Sequence, residues 1–181
     1  MPLNRLKTRK GEDNPLLAFK FLALFLVLAG IAYFALSLTQ IPNHIAAYSS
    51  QLLLKIAFNI DSSIAIRQFP VIQTPNLSAQ IIDLCSGSLE LAILFGIVFG
   101  SFEKKMNYRI NGFLVGMLVL LAFNAVRIST SIYFLHYGGL EWGVAVHDVL
   151  FRIFLIVVIV TYYSIWYFYD QPRKKRKKNK R

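Results

Sequence analysis

Four long apolar runs, separated by polar and basic segments, dominate the hydropathy pattern of the chain. They occupy residues 16–38, 84–102, 110–135 and 144–169. An α-helix needs about 20 apolar residues to cross a bilayer, at a rise of about 1.5 Å per residue. Of the 181 residues, 56% are hydrophobic and 16% are charged, which lies outside the usual range of soluble domains. The pattern predicts an all-α integral membrane protein with four transmembrane helices.

Basic residues account for the orientation that we predict for these helices. The net charge of +11 is concentrated in 1–15, in the link 103–109 and in the tail 170–181. The connections at the other ends of the runs, 39–83 and 137–143, are poor in lysine and arginine. The positive-inside rule therefore places both termini in the cytoplasm. We expect the basic tail to bind anionic lipid head groups of the bilayer rather than nucleic acid.

The segment between the first two runs is predicted to form a small extracytoplasmic cap. Residues 42–60 have the pattern of an amphipathic helix lying on the membrane. Its apolar contacts would be Leu52, Leu53, Ile56 and Phe58. The β-prone residues that follow, with a turn signal at Pro75-Asn76, predict a small hairpin leading into Cys85. The hairpin would either offer an edge strand to an extended peptide or simply cover the helix ends.

The chain is thus predicted to divide into five parts. These are a basic cytoplasmic N-terminus at 1–15, an anchor helix at 16–38, the extracytoplasmic cap at 39–83, a three-helix catalytic membrane core at 84–169 and a basic cytoplasmic tail at 170–181.

Three reactive side chains fall at the same end of three different runs. Cys85, the only cysteine, opens the second run, and His147 lies near the start of the fourth. Arg127 follows Ile110 by 17 residues, about 26 Å along a helix, and so approaches the same outer boundary. Ionisable groups at membrane depth are costly and indicate function. A thiol, an imidazole and a guanidinium at one level suggest a nucleophile, a proton carrier and an anion stabiliser.

Polar residues near these three are predicted to support them. Asn124 lies one turn before Arg127, on the same helix face, where it would hold the guanidinium or a substrate backbone. Glu90 and Arg152 each lie about 7.5 Å below the proposed site and are predicted to form an ion pair between helices. Asp148 is a rival partner for Arg152, at i−4 on the same helix, and is not expected to orient His147.

Other polar residues and glycines have simpler explanations. Three scattered histidines and one cysteine lack the spacing of metal ligands, so neither a metal nor another cofactor is predicted. The pairs Gly96/Gly100 and Gly112/Gly116 are at matching depth, which predicts that the second and third spans pack together at the inner side. The alternative is the general enrichment of glycine in membrane helices.

The motifs around the three reactive residues resemble those of the exosortase/archaeosortase family of prokaryotic membrane enzymes. The chain contains Cys85-x-Gly87, Asn124-x-x-Arg127 and a later His147, in the family's order and each near the outer end of a span. The resemblance covers roughly residues 64–154. Most members have more spans, so this chain would be a compact one, and residues 88–90 differ from those of the best-known bacterial branch.

The resemblance implies a cysteine transpeptidase or protease at the outer face of the cell membrane. Its substrates would be exported proteins with a C-terminal motif, a transmembrane helix and a basic tail, and transfer to an amine acceptor is implied. Cys85, Arg127 and His147 would be catalytic, while Ser86, Gly87 and Asn124 would bind substrate or support the site. Two other functions stay open. One is a membrane thiol hydrolase that only cleaves, and the other is a non-enzymatic scaffold or assembly subunit.

Overall fold

The computed structural model describes residues 15–169, without the side chains of residues 15, 17 and 151–156. Its elements are α1 (Pro15–Thr39), α2 (Ile41–Phe58), β1 (Ser63–Ile66), β2 (Pro70–Thr74), β3 (Leu77–Gln80), α3 (Ser88–Gly100) and α4 (Met106–Tyr169). The described part is mostly helical with one small sheet, as the sequence predicted. The predicted cytoplasmic termini, 1–15 and 170–181, lie outside the described residues except for residue 15.

Two helices of the described part are long and apolar enough to cross a membrane. They are Ala18–Thr39 within α1 and Met106–Leu150 within α4. Two shorter apolar helical segments, Ser88–Gly100 and Val157–Tyr169, accompany them. The surface of α1 exposes apolar side chains such as Phe19 (68%), as expected for a helix in lipid. The predicted total of four spans stays a prediction.

α4 bends sharply at Gly139, so that its two arms, residues 106–138 and 140–169, fold back on each other. Gly139 has φ 79 and ψ −179, a conformation that is essentially restricted to glycine. At the inner end of this helical hairpin, the rings of Tyr108 and Trp166 stack with centroids 5.2 Å apart. The connection predicted at 137–143 is shorter than expected, since a single non-helical residue, Gly139, reverses the chain.

The second and third spans pack together as predicted, through aromatic rings of α3 and α4, but the glycine pairs face other side chains rather than each other. A Cβ added to Gly96 would come within 2.9 Å of Phe25 and 3.0 Å of Ala29, both in α1. A Cβ on Gly112 would instead collide with the ring of Trp166 in the second arm of α4. The space beside a glycine can be filled by an aromatic ring as readily as by another helix backbone. The spacing of glycines in the sequence does not show which of the two fills it.

The cap contains α2 and an antiparallel sheet with the strand order β1-β2-β3. It therefore has one strand more than the predicted hairpin, with the predicted turn between β2 and β3. The buried face of α2 packs with the sheet against Ile128 and Ile132 of α4. Of the predicted membrane contacts, Leu52 and Ile56 are exposed, whereas Phe58 packs on Tyr133 with ring centroids 4.8 Å apart.

Candidate active site

Cys85 lies in the tight turn that joins the cap to α3. The backbone N–H of Cys85 donates to the carbonyl oxygen of Ile82 at 2.9 Å. The buried hydroxyl of Ser86 donates to the carbonyl oxygen of Asp83 at 2.8 Å and lies 2.7 Å from the hydroxyl of Ser88. Ser86 therefore stabilises the turn from inside. Of the two roles predicted for it, substrate binding and support of the site, this contact corresponds to support.

Gly87 explains the spacing of the Cys-x-Gly motif. It has φ 86 and ψ 7, a left-handed conformation that side chains other than hydrogen disfavour. A Cβ at this position would come within 3.3 Å of Nδ2 of Asn124. The glycine thus allows both the change of chain direction before α3 and the close approach of α4.

The carbonyl oxygen of Cys85 is held by two side chains of α4. Nη2 of Arg127 donates to it at 2.8 Å, and Nδ2 of Asn124 donates to it at 3.3 Å. Arg127 is 3% exposed, and its Nη1 lies 3.6 Å from Oε1 of Glu90. Arg127 and Asn124 are therefore positioned to fix the backbone that carries the thiol, a role that the sequence did not predict for Arg127.

Glu90 contacts Arg127 across the interface between α3 and α4. The sequence predicted an ion pair between Glu90 and Arg152, but the side chain of Arg152 lies outside the described residues, so that pair stays a prediction. The cavity next to the Glu90–Arg127 contact is also lined by Leu120, Phe123 and Val158. Because the surroundings are partly apolar, the two charges interact more strongly than they would in water.

His147 approaches the thiol from the second arm of α4. Its Nε2 lies 3.9 Å from Sγ of Cys85, and its Nδ1 lies 3.2 Å from Oδ1 of Asp148. The expectation that Asp148 does not orient His147 is therefore wrong. Neighbouring residues on a helix point in different directions, but both side chains are exposed (40% and 57%) and long enough to turn towards each other.

The environment of Cys85 acts on its thiol in two opposing ways. Cys85 precedes the first residue of α3 and lies outside the helix, yet it packs against the core of the cap. Burial raises the pKa of the Cys85 thiol, and the positive charge of Arg127 offsets part of this increase. A thiol in this environment needs a nearby base to become a thiolate at neutral pH.

Asn43 links α2 to the turn that carries Cys85, which sequence reasoning missed. Its Nδ2 donates to Oδ1 of Asp83 at 2.7 Å, and Asn43 is completely buried. A polar residue in the first turn of a predicted amphipathic helix was the only available signal. Across the described side chains, no three histidine, cysteine or acidic residues are placed to hold a metal ion.

The structure therefore brings together Cys85, Arg127 and His147, as the sequence predicted, in a largely helical protein with apolar spans. The thiol of Cys85, the imidazole of His147 and the buried guanidinium of Arg127 form a candidate cysteine site in this membrane protein. The chain belongs to the transmembrane exosortase family, whose model matches residues 14–164. Neither a curated protein nor a solved structure matches it.

Proposed function

We propose that the chain is a membrane cysteine transpeptidase or protease that cleaves C-terminal sorting signals of exported proteins. The observation that carries this proposal is the 3.9 Å approach of His147 Nε2 to Cys85 Sγ. Membership in the exosortase family supports it, since that family consists in general of cysteine transpeptidases.

His147 is proposed to accept the thiol proton and to return it to the leaving amine. Nε2 must be unprotonated to accept from Sγ, so the ring proton is on Nδ1, which donates to Asp148. The thiolate then attacks the scissile carbonyl carbon, and the carbon–nitrogen bond breaks. The amine takes the proton from Nε2, which leaves a thioester between Cys85 and the new C-terminus.

The thioester is then resolved by an acceptor. An amine, or water, attacks the thioester carbonyl and gives its proton to Nε2 of His147. The carbon–sulfur bond breaks, and the thiolate of Cys85 takes the proton back. Amine attack yields a transferred product, whereas water yields a free carboxylate, so the first outcome is a transpeptidase and the second a protease.

Arg127 is proposed to position the nucleophile and to supply a fixed positive charge beside it. Two of its nitrogens contact Cys85 O and Glu90, at 2.8 Å and 3.6 Å, and the side chain is nearly inaccessible. The guanidinium remains charged at any physiological pH. Stabilisation of the oxyanion by Arg127 is thus exerted through its charge, because Nη2 already donates to the carbonyl oxygen of Cys85 and Nη1 lies beside Glu90.

The proposed site faces the outside of the cell. Support comes from the basic clusters at 1–15, 103–109 and 170–181, which the positive-inside rule assigns to the cytoplasm. A cysteine introduced at exposed Asn76, in a Cys85→Ser background, should react with a membrane-impermeant thiol reagent in intact cells. Reaction only after lysis would contradict this orientation.

The function is tested by replacing Cys85 with alanine in the full-length chain. Removal of one small half-buried thiol should leave the protein in the membrane, while precursors should accumulate uncleaved. The ratio of precursor to mature protein, normalised to the level of the variant, measures the effect. Unchanged processing would sink the enzyme assignment and favour a scaffold. A mass spectrum of the mature C-terminus then distinguishes an added acceptor group from a free carboxylate.

A further inference from the structure

The sheet of the cap has an open edge on β3. Hydrogen-bonded and non-hydrogen-bonded pairs alternate along an antiparallel ladder. The backbone N–H of Ile81 donates to the carbonyl oxygen of Pro70 at 2.9 Å, which sets this alternation for β2 and β3. The backbone groups of Ala79 therefore point towards β2, and those of Ser78 and Gln80 point away from the sheet.

The outward groups of β3 are available for a partner. Ser78 and Gln80 are exposed, and no hydrogen bond to their backbone occurs within the described part of the chain. The side chains of Leu77 and Ala79 pack against the core of the cap, so the strand is anchored by its face and not by its edge. The sequence of β3 contains neither lysine nor proline, which commonly protect edge strands from pairing.

The open edge of β3 lies on the segment that leads to the thiol. Gln80 precedes Cys85 by five residues, which span at most about 17 Å. The intervening Ile81 is 3% exposed, so the segment is anchored in the core of the cap. The other edge of the sheet, β1, is separated from β3 by β2, at about twice the usual strand spacing of ~4.8 Å.

We propose that the edge of β3 binds the extended segment of the substrate next to the scissile bond, as an added strand. This inference rests on the proposed function. Ser78 and Gln80 offer donors and acceptors with the two-residue repeat of a strand, about 6.8 Å, which an extended main chain matches. A helix does not match it, because its backbone groups are bonded internally. Recognition through the main chain places the peptide bond without requiring many side-chain contacts.

Proline substitutions separate the outward hydrogen bonds from the rest of the sheet. Ser78→Pro and Gln80→Pro each remove an outward donor while leaving the ladder with β2 intact. Ile66→Pro is the matched control, because Ile66 is exposed and points outward on β1, the opposite edge. Ser78→Ala and Gln80→Ala control for loss of the side chains alone.

The expected result is slower cleavage in the two β3 proline variants only. Loss of one hydrogen bond should slow conversion of precursor to mature protein roughly three- to tenfold, normalised to enzyme abundance. Normal conversion in both variants would overturn the proposal. An equal loss in Ile66→Pro would also overturn it, because the effect would then reflect damage to the sheet. The probes are the cell's own precursors, identified by their accumulation with Cys85→Ala.

A crosslinking experiment decides the question if the proline variants do not accumulate. A photoreactive phenylalanine is introduced at Ser78, Gln80 or Ile66 of the Cys85→Ala chain, which retains uncleaved precursor. Crosslinks to precursor from the first two positions, and none from Ile66, support the proposal. Crosslinks to a second copy of this chain, or none to precursor, overturn it. If Cys85→Ala processes normally, the proposed function itself has failed, which is a distinguishable outcome.

Discussion

The turn that carries Cys85 and the helical turn that carries His147 are held in place in different ways. On the Cys85 side, two α4 side chains donate to one carbonyl oxygen at 2.8 and 3.3 Å, and Ser86 is completely buried. On the other side, the His147 side chain is 40% exposed and contacts an even more exposed Asp148. The nucleophile is thus fixed within the bundle, while the proton carrier lies at its surface.

The two proposed catalytic side chains are therefore positioned by different features of the fold. The position of His147 depends on the bend at Gly139, where no atom lies within 4 Å of an added Cβ. The position of Cys85 depends on the contacts between its turn and two buried side chains of α4. We therefore expect substitutions around Cys85 to act through geometry, and substitutions at His147 to act through proton transfer.

Among these variants, His147→Gln should cause the largest decrease in the rate of precursor processing. Glutamine retains polarity but cannot carry a proton between thiol and amine, and general acid–base catalysis contributes about 10²–10⁴ in rate. Processing should fall by that factor at unchanged membrane abundance, as measured by a time course of precursor conversion. His44→Gln is the matched control and should process normally. Equal activity of His147→Gln and the original chain would remove His147 from the site.

Arg127→Lys should have the second largest effect. It should slow precursor processing roughly 10²-fold, which is the effect expected when the reacting atoms are displaced by about 1 Å. A single ammonium group cannot reproduce the planar fork that contacts Cys85 O and Glu90 together. Arg67→Lys, on the cap surface, is the control. Near-normal maturation with Arg127→Lys would show that a positive charge near the membrane boundary suffices, and that the positioning role is wrong.

Gly87→Ala should have a smaller effect, which falls on both stability and processing. A left-handed alanine costs about 1–2 kcal/mol, and its Cβ would also press on Asn124. Gly139→Ala has a positive φ but open space around it, and should lose stability with less effect on the Cys85 turn. Gly30→Ala, with no atom within 4 Å of the added Cβ, should be silent. Thermal unfolding in detergent, together with processing, measures all three, and identical behaviour of the first two would contradict the crowding of Asn124.

Asp148→Asn should have the smallest effect. The contact between His147 and Asp148 is solvent-exposed, and exposed ion pairs contribute at most about 1 kcal/mol, or roughly fivefold. Asparagine can still accept a hydrogen bond from Nδ1, so we expect a decrease of about two- to fivefold in processing. A loss as large as that of His147→Gln would show that the histidine side of the site is held as firmly as the cysteine side.

The depth of the site along the predicted spans could be predicted, because helix rise is regular and basic residues mark the cytoplasmic ends of spans. These two rules place Cys85, Arg127 and His147 at one height, and the structure brings them together. The partners of Glu90 and of the glycines were not predictable, because depth along a helix does not specify which face meets which neighbour. The prediction for Asp148 failed because a side-chain rotation can bring adjacent residues into contact.

The sequence by itself determined the membrane class, the helical composition, the turn at residues 75–76 and the candidates for chemistry. These follow from local properties such as apolar run length, charge position and residue type. Only the tertiary structure decided that Arg127 holds the carbonyl of Cys85, that Asn43 ties α2 to Asp83, and that β3 leaves an open edge beside the site. Such contacts join residues about 40 positions apart, and their geometry depends on how the helices rotate and pack.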